Sequence, residues 1–283
     1  MARAAYWFRK AAEQGDEDGQ YQLALRYHRG EGVPKDPKEA MAWYRKAAEQ
    51  GHAGATNMVG YYYGTGTGVA KNPQEAFRWY LSAAERGSSN GQYNVGMYYR
   101  DGTGTEQNME RAAFWFRKAA EQGDDEAQYA LATRYNRGEG VPQNFTEALS
   151  WYRKAAEQGH SAAMNMVGYY FGNAKGVQKD QKEAAYWYRK AAEKGNAIAQ
   201  YNLALQYFNG TGVTKDQAQA VQWFRKAAEA GDADAMHRLG KCYLEGTGVS
   251  KDKKQAKQWL QKAVDNGCKD AQSSLDKCGG FFF

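Results

Sequence analysis

The side chains of this sequence that could do chemistry are few and scattered. The four histidines are His28, His52, His160 and His237. None of them has a second histidine or a cysteine at metal-ligand spacing, and two follow a glycine at an expected helix start, where sequence repetition explains them. The three cysteines are Cys242, Cys268 and Cys278. Their spacing matches neither a zinc motif nor a disulfide framework, so we expect no metal and no other cofactor.

Two short patterns resemble catalytic or phosphate-binding motifs. Ser250 and Ser274 each begin an S-x-x-K match, but the companion S-D-N and K-T-G motifs are absent. Residues 30–33 read Gly-Glu-Gly-Val, yet no strand precedes them and no lysine stands at P-loop spacing. No nucleophile, base and orienting residue stand apart from the repeated pattern. We therefore predict a protein that is not an enzyme.

The repeated pattern organises the whole chain. Tryptophan recurs every 36 residues, and a glycine follows eight residues after each one. The tryptophans are Trp7, Trp43, Trp79, Trp115, Trp151, Trp187, Trp223 and Trp259. The glycines are Gly15, Gly51, Gly87, Gly123, Gly159, Gly195, Gly231 and Gly267. A strict period of this length indicates a repeat protein, and we interpret the tryptophans as core residues.

Each repeat contains two helical patterns and a glycine loop. In the repeat between Gly15 and Gly51, we predict a first helix over about 16–29 and a second over about 37–50. Asp16 is expected to cap the first helix, and Pro37 suits the first turn of the second. Gly51 suits the left-handed position that ends a helix. A small residue follows the Leu/Val core column and should face the large rings of the second helix.

The combined motif resembles that of a known family. A-x-x-x-L-[AG]-x-x-Y-x-x-G-x-G-V, a short polar loop and A-x-x-W-[YF]-x-K-A-A-E-x-G resemble the Sel-one-like repeat (SLR) family, a relative of the tetratricopeptide repeat (TPR). The match spans essentially the whole chain. Departures include Ala174 in place of the first loop glycine and Leu260 in place of the aromatic residue after Trp259. The final helical segment is degenerate and resembles a terminal cap.

The resemblance implies an all-α fold, a right-handed α/α superhelical solenoid of about eight repeats. We expect one solenoid over 1–283, with a half repeat at 1–15, seven full repeats at 16–267, a degenerate helix at 268–278 and a tail at 279–283. It further implies a non-enzymatic scaffold or adaptor that binds a protein or peptide. Family members include bacterial regulators and immunity proteins for secreted toxins, so both roles are open for this chain.

In TPR-like arrays the first helix of each unit lines the concave groove, which predicts the partner-binding positions. The predicted groove residues are Tyr21, Asn57, Tyr61, Tyr93, Met97, Arg100, Tyr129, Asn165, Tyr169, Tyr201, Phe208 and His237. Tyrosine and methionine suit peptide recognition. We expect the amides of Asn57 and Asn165 to hold a peptide backbone. For the four tyrosines at the position of Tyr21, packing between first helices is an equal alternative.

The charge pattern leaves two alternative functions open. The net charge is +6. Much of the basic charge comes from Arg-Lys pairs that are followed by glutamate, which predicts a salt-bridged outer face. Nucleic-acid or other polyanion binding is therefore the less favoured reading, although Arg26, Arg100 and Arg134 lie on first helices. A structural spacer within a larger protein is the other alternative.

Both ends of the chain are unusual. The sequence begins mid-repeat, so we expect a truncated N-terminus and exposed apolar surface at Tyr6, Trp7 and Phe8. The absence of a signal peptide leaves envelope, secreted and cytoplasmic locations open. No apolar run is long enough to span a membrane. We expect a monomer or a weak oligomer formed through the exposed ends, and we predict that Phe281–Phe283 pack on the last helices.

Overall fold

The computed structural model describes residues 2–279 and divides the chain into two compact units, residues 1–144 and residues 145–283. Within the described residues, every regular element is an α-helix, and the sixteen helices are joined by short loops. The predicted all-α class is therefore confirmed. The prediction that Phe281–Phe283 pack on the last helices concerns residues outside the described part of the chain.

In the first unit, two kinds of helix alternate along the chain. The second helix of each repeat, here called helix B, occurs as α1 (Ala2–Glu13), α3 (Pro37–Gln50), α5 (Pro73–Glu85) and α7 (Met109–Glu121). The first helix, here called helix A, occurs as α2 (Glu17–Arg29), α4 (Ala53–Thr65), α6 (Ser89–Asp101) and α8 (Asp125–Arg137). Each helix packs against the next in sequence, as expected for antiparallel neighbours joined by short loops.

The second unit repeats the same alternation. Its B helices are α9 (Phe145–Glu157), α11 (Gln181–Glu193), α13 (Gln217–Glu229) and α15 (Lys253–Asp265). Its A helices are α10 (Ser161–Gly172), α12 (Ala197–Asn209), α14 (Ala233–Glu245) and α16 (Ala271–Gly279). Helix α16 is the shortest of the described helices, and it packs on both α14 and α15.

The helix boundaries follow from capping chemistry. Asp16 accepts from the Gly19 N–H at the start of α2, as predicted. Pro37 is the first residue of α3, and Gly51 ends that helix with φ of 110°. His52 also has a defined role, because its Nδ1 accepts from the Ala55 N–H at 3.0 Å. The histidine is thus an N-cap of α4, a function that the sequence pattern did not suggest.

The buried aromatic column is the residue after the tryptophan in the six repeats from Trp43 to Trp223. Tyr44 and Phe116 have no exposed surface. The interpretation of all eight tryptophans as core residues is wrong, because only Trp151 and Trp187 are buried, with 8% and 7% of their surfaces exposed, and Trp7 is 61% exposed. The remaining five are half-buried. A lysine three residues later covers several of these rings, as Lys46 Nζ does 3.9 Å from the Trp43 centroid.

The predicted packing of small residues against large ones is confirmed. A Cβ atom built on Gly60 would lie 2.7 Å from the ring of Tyr80, and one on Gly96 would lie 2.7 Å from the ring of Phe116. Distances this short exclude a side chain, so glycine lets helix A approach the large residue of helix B closely. Gly240 has the same relation to Leu260, which replaces the aromatic residue there.

The loop glycines have the predicted positive φ angles. Gly138 and Gly140 have φ of 71° and 73°. The second glycine also touches the preceding repeat, since a Cβ on Gly140 would lie 2.0 Å from the Met109 carbonyl oxygen at the start of α7. The Gly-x-Gly sequence therefore serves chain reversal and close packing between repeats. The loop valine Val33 is partly buried against the core, as predicted.

The outer face of the B helices differs from the prediction of serial salt bridges. Lys10 Nζ lies 3.7 Å from the Glu13 carboxylate. In other copies the arginine instead bonds to a tyrosine hydroxyl of the following A helix, at 2.5 Å between Arg45 and Tyr63. Stacking of arginine over the same ring accompanies such contacts, as for Arg189 over Tyr207. Several of the arginines that we expected to pair with glutamate therefore contact tyrosine rings and hydroxyls.

None of the helices in residues 2–279 is both long and apolar enough to cross a membrane.

Candidate binding surface

The predicted groove residues lie on one face of the A helices, here called the A-helix face. In the first unit, their exposure varies along this face. Tyr61 is the most open, with 40% of its surface exposed. Tyr21, Asn57, Tyr93, Met97, Arg100 and Tyr129 are half-buried. Tyr21 and Tyr93 rest on the core ring of the following B helix. The ring centroids of Tyr21 and Tyr44 are 5.7 Å apart, and those of Tyr93 and Phe116 are 5.8 Å apart.

Three of the predicted residues meet in one cleft. Tyr93 and Arg100 of α6 line a cavity of about 290 Å³ together with Tyr129 of α8. The other lining residues are Phe116, Glu126, Ala130, Thr133, Arg134 and Arg137. We call this the α6–α8 cleft. Its lining combines tyrosine rings with charged groups of both signs.

The charges around the α6–α8 cleft are arranged in local pairs. Arg100 donates to Asp101 through Nε at 2.6 Å and through Nη2 at 2.7 Å. That hydrogen bond raises the pKa of Arg100 and lowers the pKa of Asp101. Arg134 lies 2.6 Å from Glu139, and the side chain of Arg134 is only 7% exposed. Because the charges compensate each other, the cleft is polar without a strong net charge.

The tyrosine hydroxyls of this cleft stay protonated at neutral pH. Burial raises the pKa of Tyr93, with Glu126 adding to the rise and Arg100 opposing it. Burial also raises the pKa of Tyr129, where Arg137 acts in the opposite direction. Both phenols therefore act as neutral groups that can donate and accept hydrogen bonds.

A second aromatic group lies nearer the start of the first unit. The Tyr21 ring stacks on His52 at a centroid distance of 4.4 Å. His28 packs edge-on to Tyr61 and bonds through Nδ1 to the Tyr62 hydroxyl at 2.8 Å. Both histidines thus contact the A-helix face while serving the local structure.

In the second unit, the predicted residues make a different set of contacts. Tyr169 is 40% exposed, and Lys175 Nζ lies 5.7 Å from its ring centroid. Tyr201 and Phe208 are half-buried against the same core ring, Phe224. His237 forms a contact of 3.0 Å between its Nε2 and the buried Ser274 hydroxyl, which joins α14 to α16.

The two predicted asparagines are engaged within the protein. Asn94 donates to Asn57 Oδ1 at 3.0 Å, and Asn202 donates to Asn165 Oδ1 at the same distance. Asn165 is also buried, with 8% of its surface exposed. These amides connect neighbouring A helices, so their oxygens are already used.

Sequence reasoning did not assign Glu126, Ala130 or Arg137 of the α6–α8 cleft to the binding surface. Glu126 lies in the first turn of α8, and Arg137 is its last residue. Arg137 directly follows the position of Asn136, which the helical register places on the A-helix face. Arg137 would have been included if the positions next to the predicted ones around the helix had also been counted. No group of three or more His, Cys, Asp or Glu side chains that could hold a metal ion occurs in the described part of the chain.

A family model for the Sel1 repeat matches the chain over its repeats. The matched segments are 1–16, 17–52, 53–88, 89–124, 125–160, 161–196, 197–232 and 233–268. The chain belongs to the Sel1 repeat family. Sel1 repeat proteins are protein-interaction scaffolds, and their fold is generally non-enzymatic. The predicted SLR solenoid class is therefore confirmed.

Two solved structures show the same family at substantial identity. Protein c5321 of uropathogenic Escherichia coli, described as a protective antigen with an SLR fold, is 36% identical with a TM-score of 0.91. The alignment covers 96% of this chain and 58% of c5321, so this chain spans little more than half of that protein. A Sel1 repeat protein of Oxalobacter formigenes is also 36% identical, with a TM-score of 0.77 and coverage of 97% and 80%. The curated proteins contain no match.

Proposed function

We propose that this Sel1 repeat protein is a non-enzymatic interaction module that holds a segment of a partner protein on its A-helix face. The observation that carries the proposal is the α6–α8 cleft, where Tyr93, Arg100 and Tyr129 meet. Tyrosine and arginine are enriched where binding energy concentrates in protein interfaces. The family function supports the same reading.

The chemistry of the cleft favours a polypeptide segment over a small charged ligand. Ala130 and the rings of Tyr93 and Tyr129 offer apolar contact in the cleft. Thr133, the tyrosine hydroxyls and Arg100 can bond to the polar groups of a peptide around an inserted side chain. The local charge pairs leave little excess charge to attract a polyanion. We therefore propose that one apolar or aromatic side chain of the partner enters the cleft.

Binding of nucleic acid through this face has weaker support. The first-helix arginines Arg26, Arg100 and Arg134 each contact an acidic side chain, which is Glu31, Asp101 and Glu139, respectively. Paired guanidinium groups attract phosphate less than solvated ones, because the local field is already compensated. Regulatory and toxin-immunity roles would both use a protein-binding face, and they differ only in the identity of the partner.

A filled cleft provides the test of this proposal. Ala130→Arg adds a long side chain to the cleft, and the repeat tolerates arginine there because Arg238 holds the equivalent place in α14. Phe114→Arg is the matched control. It adds the same side chain to an exposed position of α7, where the equivalent residue of α5 is Arg78.

The experiment selects binders from a displayed library of random peptides and measures the affinity of each enriched peptide by calorimetry. We expect Ala130→Arg to weaken binding by about tenfold or more, about 1.4 kcal/mol, and Phe114→Arg to leave it unchanged. Circular dichroism checks that both variants fold. Loss of affinity only with Phe114→Arg would move the site to the outer face. Enrichment of no peptide at all would count against segment binding.

A further inference from the structure

The net positive charge of the protein comes entirely from the second unit. Residues 1–144 contain 18 Lys and Arg against 18 Asp and Glu, so their net charge is zero. Residues 145–283 contain 20 basic against 14 acidic residues, a net charge of +6. Since both units are built from the same repeat, this difference is not required by the fold.

Much of the excess lies on one helix, α15. Lys254, Lys257 and Lys262 line a shallow open cleft on its exposed side, with Gln258 and Gln261 between them. No acidic residue occurs in α15 before its last residue, Asp265. We call these five lining residues the α15 face. By contrast, the equivalent helix α3 carries Glu39 and Glu49 beside its basic residues.

The lysines at the start of α15 oppose the helix dipole. Lys253 and Lys254 occupy the first turn, where the helix dipole is positive and acidic residues are stabilising. The helices α3, α5, α9 and α11 each place a glutamate in that turn. In α15 only the N-cap Asp252 offsets the unfavourable charge. Lysines in the first turn are unfavourable for the helix and gain no packing contact in return. Such departures from the local preference are expected where a surface serves binding.

We propose that the α15 face binds an acidic, extended segment of a partner polypeptide. Lys254 and Lys262 are eight residues apart, about 12 Å along a helix axis. An extended chain advances about 13 Å over four residues, so acidic side chains on one side of it match this separation. Gln258 lies between the lysines and can bond to the backbone of such a segment.

The same face is poorly suited to nucleic acid. Helix α15 contains no arginine, the residue that binds phosphate through two parallel hydrogen bonds. Single strands are held by exposed aromatic rings on which the bases stack. The one aromatic residue of α15, Trp259, is half-buried with Lys262 Nζ 4.4 Å from its ring centroid. This surface is separate from the α6–α8 cleft, and the proposal stands or falls independently of it.

Two triple variants of equal charge test the proposal. Lys254→Gln, Lys257→Gln and Lys262→Gln together neutralise the α15 face. The matched control, Lys182→Gln, Lys190→Gln and Lys194→Gln, removes the same charge from exposed lysines in and beside α11 of the same unit. Lysine and glutamine have similar helix propensity, so both variants should stay folded, which circular dichroism verifies.

Fluorescence polarisation with a labelled oligoglutamate peptide measures binding, and duplex DNA and phosphatidylserine vesicles serve as competing probes. We expect the wild type to bind the peptide in a salt-dependent manner. We expect the α15 variant to lose about tenfold or more in affinity and the α11 control to lose less than about twofold. Equal losses would show a net-charge effect and overturn the proposal. So would tighter binding of DNA or vesicles than of the peptide, or no peptide binding by the wild type.

Discussion

Ala174 is the described non-glycine residue whose backbone lies in the left-handed region, with φ of 55°. It stands where the other repeats have their first loop glycine, and it follows α10, which ends one residue earlier than the repeat pattern would give. A Cβ atom in this region approaches the following carbonyl oxygen, at a cost of roughly 1–2 kcal/mol. The loop between α10 and α11 therefore carries strain that its counterparts avoid.

Ala174→Gly should relieve this strain and raise the free energy of unfolding by about 1 kcal/mol, because glycine adopts positive φ freely. Urea denaturation followed by circular dichroism measures the change. Gly246→Ala is the reciprocal control in the same unit, with φ of 78° and a nearest neighbour 3.4 Å from an added Cβ. It should lose a similar amount. A destabilised Ala174→Gly variant would contradict the argument.

The tryptophan column shows where sequence reasoning succeeds and where it stops. Trp43 and Tyr44 both fall on the wide apolar side of α3, so periodicity predicts that both face inward. Which of the two is deeper depends on how helix A crosses helix B, and the sequence period does not contain that angle. The structure buries Tyr44 completely and leaves Trp43 half-exposed beneath Lys46.

At the level of elements, a buried glutamine connects the A helices α2, α6, α8 and α12 to neighbouring B helices. Gln92 donates to the Ala84 carbonyl at 3.3 Å and accepts from Gln122 at 2.7 Å. Gln200 makes the equivalent bond to the Ala192 carbonyl at 3.2 Å. Its Oε1 atom is buried without a partner, because Ala230 stands where Gln122 stands in the first unit. A buried acceptor without a donor is destabilising.

Ala230→Gln should supply the missing donor and raise the free energy of unfolding by about 1 kcal/mol. The backbone needs no change, since Ala230 has φ and ψ of −81° and 1°, against −82° and −1° for Gln122. Urea denaturation gives the stability. Ala230→Met is the matched control, because methionine has a similar reach and no donor. If methionine stabilises as much as glutamine, the hydrogen bond is not the cause.

Side-chain hydrogen bonds between helices also limit what the sequence could predict about the binding surface. The repeat register correctly assigns Asn165 to helix A, but the side chain is buried and accepts from Asn202. That bond depends on a residue 37 positions away and on the spacing of two helices. Tyr93 and Tyr129, in contrast, reach the α6–α8 cleft as the register places them, since a long side chain extends beyond the packed layer.

Across the whole molecule, each unit contains one histidine whose charged form the fold disfavours. Burial lowers the pKa of His28 in the first unit, and the charges of Lys35 and Arg29 lower it further. Burial likewise lowers the pKa of His237 in the second unit, together with Lys241 and Arg238, while Asp270 and Asp234 oppose the shift.

These pKa shifts predict that acid lowers the free energy of unfolding of both units. The folded-state pKa of each histidine lies below its unfolded value, so the unfolded chain binds more protons as the pH falls. The stabilisation is complete above the unfolded pKa of about 6.5 and is lost as the pH falls through the folded value. Urea denaturation at steps between about pH 7.5 and pH 5.5 should show a falling free energy of unfolding.

The double variant His28→Asn and His237→Asn uses residues that other repeats place there, at Asn136 and Asn57. It should flatten this slope, because asparagine does not titrate, and single variants assign the loss to each unit. An unchanged slope in the double variant would show that other groups control the response to acid.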